Sequence, residues 1–237
     1  MLVYKPYIIL VCPQLAENIG SVARVMSNFG LENLRIVSPR DGWPPDNQAF
    51  KLAAKGCDIL HNAVIYNDIN LAISDLNFII ASTARNRYMQ KEKMDPKELV
   101  SYCNKKFNKN TKIGILFGRE NNGLTNEEVS LADVVSVIPT DTINPSLNLA
   151  QAVSIFSYEF FSSIQDSLDN ELKQICNKSE FSNFFDILIS LLDEKNYFKE
   201  SNIKKNMIQN IRNIFAKAEL NSQEIRTLIG IIKNLVK

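Results

Sequence analysis

The sequence is poor in the residues that most hydrolases use for catalysis. It holds one histidine, and its four cysteines lie tens of residues apart with no CxxC pair. A disulfide framework, a zinc site and the usual serine or cysteine nucleophile mechanisms therefore lack their ligands or their base. We expect no metal ion, and we expect the cysteines to be packing or surface residues.

Long apolar runs are missing as well. No stretch of about 18 apolar residues occurs, so a membrane span is not expected. The N-terminal MLVYKPYIILVCPQ is interrupted too soon for a signal peptide and is more typical of a first buried strand. We therefore expect a cytoplasmic protein, and the length of 237 residues with 45% apolar content suits one sizeable domain and a small appendix.

The common nucleotide-binding motifs are also absent. The first predicted strand is followed by PQLAENIG instead of GxGxxG, the second ends in VSPR without an acidic residue, and GxxxxGK[ST] does not occur. An ordinary dinucleotide-dependent oxidoreductase or a P-loop enzyme is therefore disfavoured, and nicotinamide binding is the observation that would support the former.

The sequence does show an alternation of short apolar strands and helical patterns, which predicts an α/β fold with a mostly parallel sheet covered on both faces. Asn18 is a plausible N-cap for a first helix that stops at Gly30. The predicted strands are 7–12, 34–37, 63–66, 78–82, 112–117 and 134–138. The predicted helices between and after them are 47–55, 69–76, 96–107, 126–131 and 148–163.

The C-terminal part of the chain has a different pattern. Residues 164–179 are polar and mixed in charge, which predicts a linker between an α/β domain of residues 1–163 and a small unit of residues 180–237. Three stretches of that unit have helical spacing of apolar residues and no strand pattern: 181–192, 204–218 and 222–236. We interpret it as a basic helical domain, and an oligomerisation hairpin is the alternative.

Positive charge is concentrated in two segments although the net charge is only +1. Residues 84–112 hold nine basic and three acidic side chains, and residues 195–237 hold nine and three again, so each segment sums to +6. These segments are candidates for contact with a polyanion, and solvated helix faces are the alternative explanation.

Three separated segments place small and amide-bearing residues around strand ends: NIGSVAR at 18–24, ILFGRENNGLTNEE at 115–128 and NPSLNLAQAV at 144–153. Glycines after a strand let backbone N–H and C=O groups approach a ligand closely. A helix that follows such a loop presents its free first-turn N–H groups to the same place. Together the three segments predict a ligand pocket at the strand ends.

These segments resemble the motifs of the SpoU branch of the SPOUT RNA methyltransferases. The resemblance covers residues 7–159 and extends more weakly into the helical tail. The first motif is PQLAENIGSVARVMSNFGLENLRIV, the second is LFGRENNGLTNEEV with the following VSVIPT, and the third is SLNLAQAVSIFSYE. The additional segment ASTARNR, together with GLTNEE and the C-terminal extension, favours the subgroup that methylates tRNA.

The resemblance implies a deep trefoil knot in the C-terminal half of the α/β domain, which periodicity alone would not predict. It also implies that the knot binds S-adenosylmethionine. The residues that match the cofactor-binding positions of the family are Ser82, Thr83, Ala84, Gly118, Ile138, Pro145, Ser146 and Leu147. Small and apolar residues of this kind suit an adenine and a sulfonium better than a triphosphate.

The family's catalytic positions are matched by Asn18, Arg24, Glu120, Ser146 and Asn148. The resemblance implies that Arg24 is the base that acts on a ribose 2′-hydroxyl. Because a guanidinium has a pKa above about 12, Arg24 is equally suited to grip the phosphate beside that ribose. We expect Asn18 and Asn148 to orient hydroxyl groups, and Glu120 to fix Arg24 or Arg119.

The resemblance further implies a structured RNA substrate, most specifically the pyrimidine at tRNA position 32 in the anticodon loop. It also implies a homodimer in which the arginine of one protomer reaches the cofactor of the other. The loop from Arg85 to Lys93 and the basic tail are our candidates for RNA contact. A ribosomal RNA 2′-O-methyltransferase and a catalytically silent RNA-binding protein of the same fold remain alternatives.

Overall fold

The computed structural model describes residues 5–84, 91–108, 110–163, 175–198 and 201–235, with the side chains of the last segment described from residue 203 onward. The strands are β1 (Tyr7–Val11), β2 (Leu34–Val37), β3 (Val64–Tyr66), β4 (Phe78–Ser82), β5 (Lys93–Met94), β6 (Ile113–Phe117) and β7 (Val134–Ser136). The helices are α1 (Ala16–Asn28), α2 (Asn47–Ala53), α3 (Cys57–His61), α4 (Ile69–Ile73), α5 (Pro96–Lys106), α6 (Asn126–Ser130), α7 (Leu149–Ser162), α8 (Lys178–Glu194), α9 (Ser201–Ala218) and α10 (Ser222–Leu235), and a short 3₁₀ turn, Ala54–Gly56, joins α2 to α3.

The described strands form one sheet in the order β3-β2-β1-β6-β4-β7-β5, and each neighbouring pair is parallel. The predicted parallel α/β fold is therefore confirmed. Leu10 of β1 pairs with Phe117 of β6, and Ser82 of β4 pairs with Ser136 of β7. Because the strands are in register at these ends, the loops that follow them meet along one edge of the sheet.

The central strands β1 and β6 carry no polar side chain except the ring hydroxyl of Tyr7, because both faces of the sheet are covered there. In β1, Ile8 and Leu10 point into one core with α1, α5 and α7, whereas Ile9 and Val11 point into a second core with α4 and α6. All four side chains are at most 1% exposed. The sheet, with helices packed on both of its faces, positions the loops at its carboxyl edge.

Several predictions of local structure need correction. Helix α3 was not predicted, the strand predicted over 134–138 ends at Ser136, and the helix predicted over 69–76 ends at Ile73. Strand β5 was not predicted, because it has two residues and exists only through its pairing with β7. The N-cap role of Asn18 is wrong, because α1 begins two residues earlier at Ala16 with Leu15 in the cap position. The side chain of Asn18 is instead free to reach across to other segments.

The C-terminal helices α8, α9 and α10 confirm the helical pattern of the tail, and α8 begins at Lys178, inside the segment predicted as a linker. The tail contacts the start of β4. The backbone N–H groups of Lys178 and Ser179 donate to the carbonyls of Leu76 and Ser74, at 2.8 and 2.9 Å. The Lys178 ammonium pairs with Asp133 at 2.5 Å. Residues 164–174 of the predicted linker lie outside the described residues.

Candidate active site at the carboxyl edge of the sheet

Glu120, in the loop after β6, joins the second motif to the first. One carboxylate oxygen accepts the backbone N–H of Gln14 at 2.9 Å, and the other accepts the N–H of Leu15 at 3.1 Å and the side-chain amide of Asn18 at 2.9 Å. A carboxylate at this place complements the positive end of α1 and satisfies donors that a helix start leaves free. Glu120 therefore holds the two residues that lead into α1 and the side chain of Asn18 inside that helix.

Asn18 also joins the first motif to the third. Its side-chain oxygen accepts a hydrogen bond of 2.9 Å from the amide group of Asn148. Asn148 is the N-cap of α7: its own side-chain oxygen accepts the N–H of Ala150 at 2.9 Å, and Gln151 completes the capping box. Glu120, Asn18 and Asn148 thus form one hydrogen-bonded chain across the three motifs, of which the first lies about a hundred residues before the other two.

The expectation that Glu120 fixes Arg24 or Arg119 is not met, because the three donors above occupy its carboxylate. Arg119 pairs instead with both oxygens of Glu128 at 3.0 Å, and it donates to the Cys12 sulfur at 3.1 Å. The hydrogen bonds to Glu128 raise the pKa of Arg119. This pair was not predicted from the sequence. Arg119 and Glu128 are nine residues apart in the sequence, and their contact depends on how the loop between them folds.

A cleft of about 290 Å³ opens between these loops. All eight predicted cofactor-binding residues line it, and Glu120 lines it as well. The lining also contains residues that sequence reasoning did not select, among them Phe117, Leu149 and Ala152. Arg119 is the only cation among the described residues of this lining, and its charge is already paired with Glu128, so this part of the cleft suits an uncharged or cationic ligand better than a triphosphate.

Gly118 allows the loop after β6 to fold back closely on itself beside the cleft. A Cβ atom at this position would lie 2.1 Å from the carbonyl carbon of Gly123 and from the nitrogen of Leu124. The loop can fold back this closely because Gly123 adopts φ +65° and donates its N–H to the Arg119 carbonyl at 2.8 Å. A glycine at 118 is therefore a packing requirement of the loop.

Arg24 lies apart from the cleft of its own chain. It is exposed on α1, on the same stripe as Glu17, Ser21 and Asn28, whereas Asn18 is 8% exposed and points inward. Among the described residues no hydrogen bond or ion pair involves its side chain. The structure thus brings together Asn18, Glu120 and Asn148, places Ser146 in the cleft lining, and leaves Arg24 on the outer face of α1.

Part of the positive charge that was expected to face RNA is used inside the molecule. Lys91 is 8% exposed and donates to the carbonyls of Ser130 and Ala132, and its burial lowers its pKa to about 8. Arg212 lies over the rings of Phe181 and Phe185. Other lysines of these segments pair with carboxylates: Lys106 with Glu219, Lys112 with Asp75, Lys204 with Asp193 and Lys205 with Glu127. Residues 85–90 of the candidate RNA loop lie outside the described residues.

In the described part of the chain, no group of three or more histidine, cysteine, aspartate or glutamate side chains is placed to hold a metal ion. No helix within those residues is long and apolar enough to cross a membrane.

Comparison with known proteins gives consistent matches. Residues 5–158 match the model described as the SpoU rRNA Methylase family. The tRNA (cytidine/uridine-2'-O-)-methyltransferase TrmJ of Salmonella typhimurium is 32% identical over 236 residues, which cover 96% of this chain and 95% of the relative. The tRNA (cytidine-2'-O-)-methyltransferase TrmJ of Methanocaldococcus jannaschii is 41% identical over 157 residues, 65% of this chain and 66% of the relative.

Among solved structures, TrmJ from Z. mobilis ZM4 superposes with a TM-score of 0.88 at 36% identity, over 98% of this chain and 99% of that one. The likeness includes the helical C-terminal part, and it confirms the α/β-knot fold that the sequence motifs implied.

Proposed function

Because the chain belongs to the SpoU rRNA methylase family, we propose that it is an S-adenosylmethionine-dependent methyltransferase that modifies a ribose 2′-hydroxyl of tRNA. The observation that carries the proposal is the cleft: the eight residues selected from the motifs, from four separate segments, all line it. The names of the relatives support tRNA as the substrate, and a tRNA-modifying activity suits the expected cytoplasmic location. The finer target is the pyrimidine at position 32 in the anticodon loop.

The residues of the cleft fit S-adenosylmethionine. Gly118 and Gly123 both line the cleft, the position of a Cβ at Gly123 is open space, and no unpaired cation among the described lining residues would repel a sulfonium. When bound, S-adenosylmethionine supplies an activated methyl group. Ser82 to Ala84 at the end of β4 and Pro145 to Leu147 before α7 would hold it from two sides, with Ile138 completing the lining.

Glu120 and the two asparagines position the site in this proposal. Both oxygens of Glu120 accept hydrogen bonds from the start of α1, so the carboxylate fixes the first motif against the second. The same chain orients Asn148, whose cap sets the direction of α7 behind Ser146. The site is therefore preorganised before any substrate arrives.

Arg24 requires a second protomer to act at this site. Its stripe on α1 adjoins an exposed aromatic group made by Phe29 with Tyr158 and Phe161 of α7, of which the latter two are 54% and 44% exposed. Aromatic side chains exposed together are typical of an interface. We propose a homodimer that covers this face and brings Arg24 to the cleft of the partner, where its guanidinium binds the phosphate beside the target ribose and a water molecule or that phosphate accepts the proton.

Methyl transfer from labelled S-adenosylmethionine to unmodified tRNA tests the proposal, with the product mapped by ribose-methyl-sensitive cleavage. Label in the anticodon loop with wild type, its loss with Arg24→Ala, and its retention with Lys5→Ala are the expected results. Lys5 is a suitable control because it is an exposed cation that pairs with Glu32 and precedes β1, at the edge of the sheet opposite the cleft.

Two other outcomes point to the alternatives. Transfer to ribosomal RNA instead of tRNA would change the substrate and keep the chemistry, as the description of the family model allows. Failure to bind S-adenosylmethionine in calorimetry would leave a silent RNA-binding protein of the same fold.

A further inference from the structure

We propose that the loop between β2 and α2, residues 38–46, is an RNA-binding surface in which Arg40 contacts a backbone phosphate and Trp43 contacts a base near the target nucleotide. This inference rests on the proposed function and assigns a substrate contact outside the three motifs. In this proposal Arg40 is a cation beside the site within one protomer. Lys91 and Arg119 do not serve as such a cation, because Lys91 is buried and Arg119 is already paired.

The loop starts at the edge of the sheet that carries the site. Strand β2 pairs in parallel with β1, and Val37 lies beside Val11 at the end of both strands. The backbone N–H of Arg40 donates to the Pro13 carbonyl at 3.1 Å. Pro13 precedes Gln14, whose own N–H binds Glu120 at 2.9 Å. Arg40 is therefore fixed by its backbone one residue away from the first contact of Glu120.

The loop is held rigidly, so its side chains are presented in a defined place. The Ser38 N–H donates to the Tyr66 carbonyl at 2.9 Å, and the Gly42 N–H donates to the Pro39 carbonyl at 3.2 Å. Asp46 caps α2 through the N–H of Gln48 at 2.8 Å. Trp43 is half-buried, packs against the main core and keeps part of its ring accessible. Preorganised loops lose little entropy on binding.

The Arg40 side chain is available to an anion. It is 53% exposed and pairs with its neighbour Asp41, which is 65% exposed. An exposed pair of adjacent residues is weak, so a phosphate can replace the carboxylate. The pKa of Arg40 is raised by this hydrogen bond and further by the charge of Glu120, which agrees with its position beside the site.

An arginine next to an accessible aromatic ring matches the way proteins bind unpaired nucleotides. The guanidinium takes the phosphate, and the ring takes the face of a base that is not in a helix. Anticodon-loop nucleotides are of this kind. In this arrangement the carboxylate of Asp41 competes with the phosphate for the guanidinium of Arg40.

Tryptophan fluorescence tests the proposal, because Trp43 is the only tryptophan in the sequence. The full-length protein is titrated with the unmodified RNA that accepts methyl groups in the transfer assay, at several salt concentrations. We expect quenching with wild type, about tenfold weaker binding with Arg40→Gln, and a salt dependence reduced by roughly one phosphate contact in that variant. Asp41→Asn should bind RNA more tightly than wild type, and S-adenosylmethionine affinity should stay the same in both variants.

The matched control is Lys5→Gln. Lys5 is an exposed cation in an exposed pair with Glu32 at 2.7 Å, and it precedes β1 at the opposite edge of the sheet. The Lys5→Gln variant should bind RNA like wild type. If wild type methylates RNA but Arg40→Gln keeps its affinity and salt dependence, the surface proposal is overturned and the function stands. If wild type neither binds nor methylates tRNA or ribosomal RNA, both are overturned.

Discussion

Replacing Glu120 by glutamine tests whether this residue positions the site or carries out proton transfer. The amide keeps the size of the side chain but offers one acceptor in place of two. If its oxygen stays with Leu15 and Asn18, its NH₂ group must face the N–H of Gln14, where the carboxylate now accepts at 2.9 Å.

The expected cost follows from these contacts. One charge-assisted hydrogen bond is replaced by a contact between two donors, which costs about 2 kcal/mol. The other two bonds lose the negative charge of their acceptor, which adds about 1 kcal/mol. The sum of about 3 kcal/mol corresponds to a melting temperature lower by roughly 6 to 12 °C for a chain of this size.

Urea unfolding, calorimetry with S-adenosylmethionine and single-turnover methyl transfer separate the two roles. A positioning residue predicts lower stability and weaker cofactor binding, with a moderate loss of rate once the protein is saturated. Glu17→Gln is the control, because Glu17 is an exposed acidic residue in the first turn of α1. Full stability together with a rate loss above about a thousandfold would refute our reasoning and make Glu120 a catalytic base.

Two further predictions concern packing and pH. Gly118→Ala should lower the free energy of unfolding in urea by about 3 kcal/mol, because its Cβ would overlap the loop. Gly230→Ala in α10, where a Cβ would have no neighbouring atom within 4 Å, should raise that free energy by roughly 0.5 to 1 kcal/mol. Equal effects of the two substitutions would contradict the packing argument. For Lys91 the folded pKa of about 8 lies below the unfolded 10.5, so the folded state binds fewer protons between these values. The stability of wild type relative to Lys91→Met should therefore rise with pH from 8 to 10.5, by up to about 1.4 kcal/mol per pH unit. Unfolding of both proteins at pH 7, 8, 9 and 10 measures this, and a constant difference would contradict it.

Much of the fold could be predicted because the decisive signals are local. The runs of apolar residues in β1, β4 and β6 are determined by burial on both faces, and the ends of these three strands were predicted to within one residue. Part of the cleft lining was also identified, because the motifs resemble those of a known family. These properties depend on neighbours in sequence, which a single chain displays.

Partners that are distant in sequence could not be predicted. Asparagine often caps a helix, which is why Asn18 was predicted as a cap. A distant loop instead supplies the carboxylate of Glu120 to Leu15 and Asn18 at the start of α1. Lys91 belongs to a basic segment, yet carbonyls some forty residues later bind its ammonium away from solvent. In both cases a residue type suited several environments, and only tertiary contacts selected one.

The seam between the helical tail and the start of β4 restricts how this protein could have been assembled. Asp133 accepts the Ile79 N–H at 2.7 Å and pairs with Lys178, while Asn77 donates to the Ile175 carbonyl at 3.1 Å. A fragment that ended at residue 163 would lose the Lys178 partner of Asp133 and the tail's hydrogen bonds to the Leu76 and Ser74 carbonyls at once. Exchange of the tail for an unrelated module would therefore leave these groups, just before the strand that ends at the candidate cleft, without partners unless the new module supplied them.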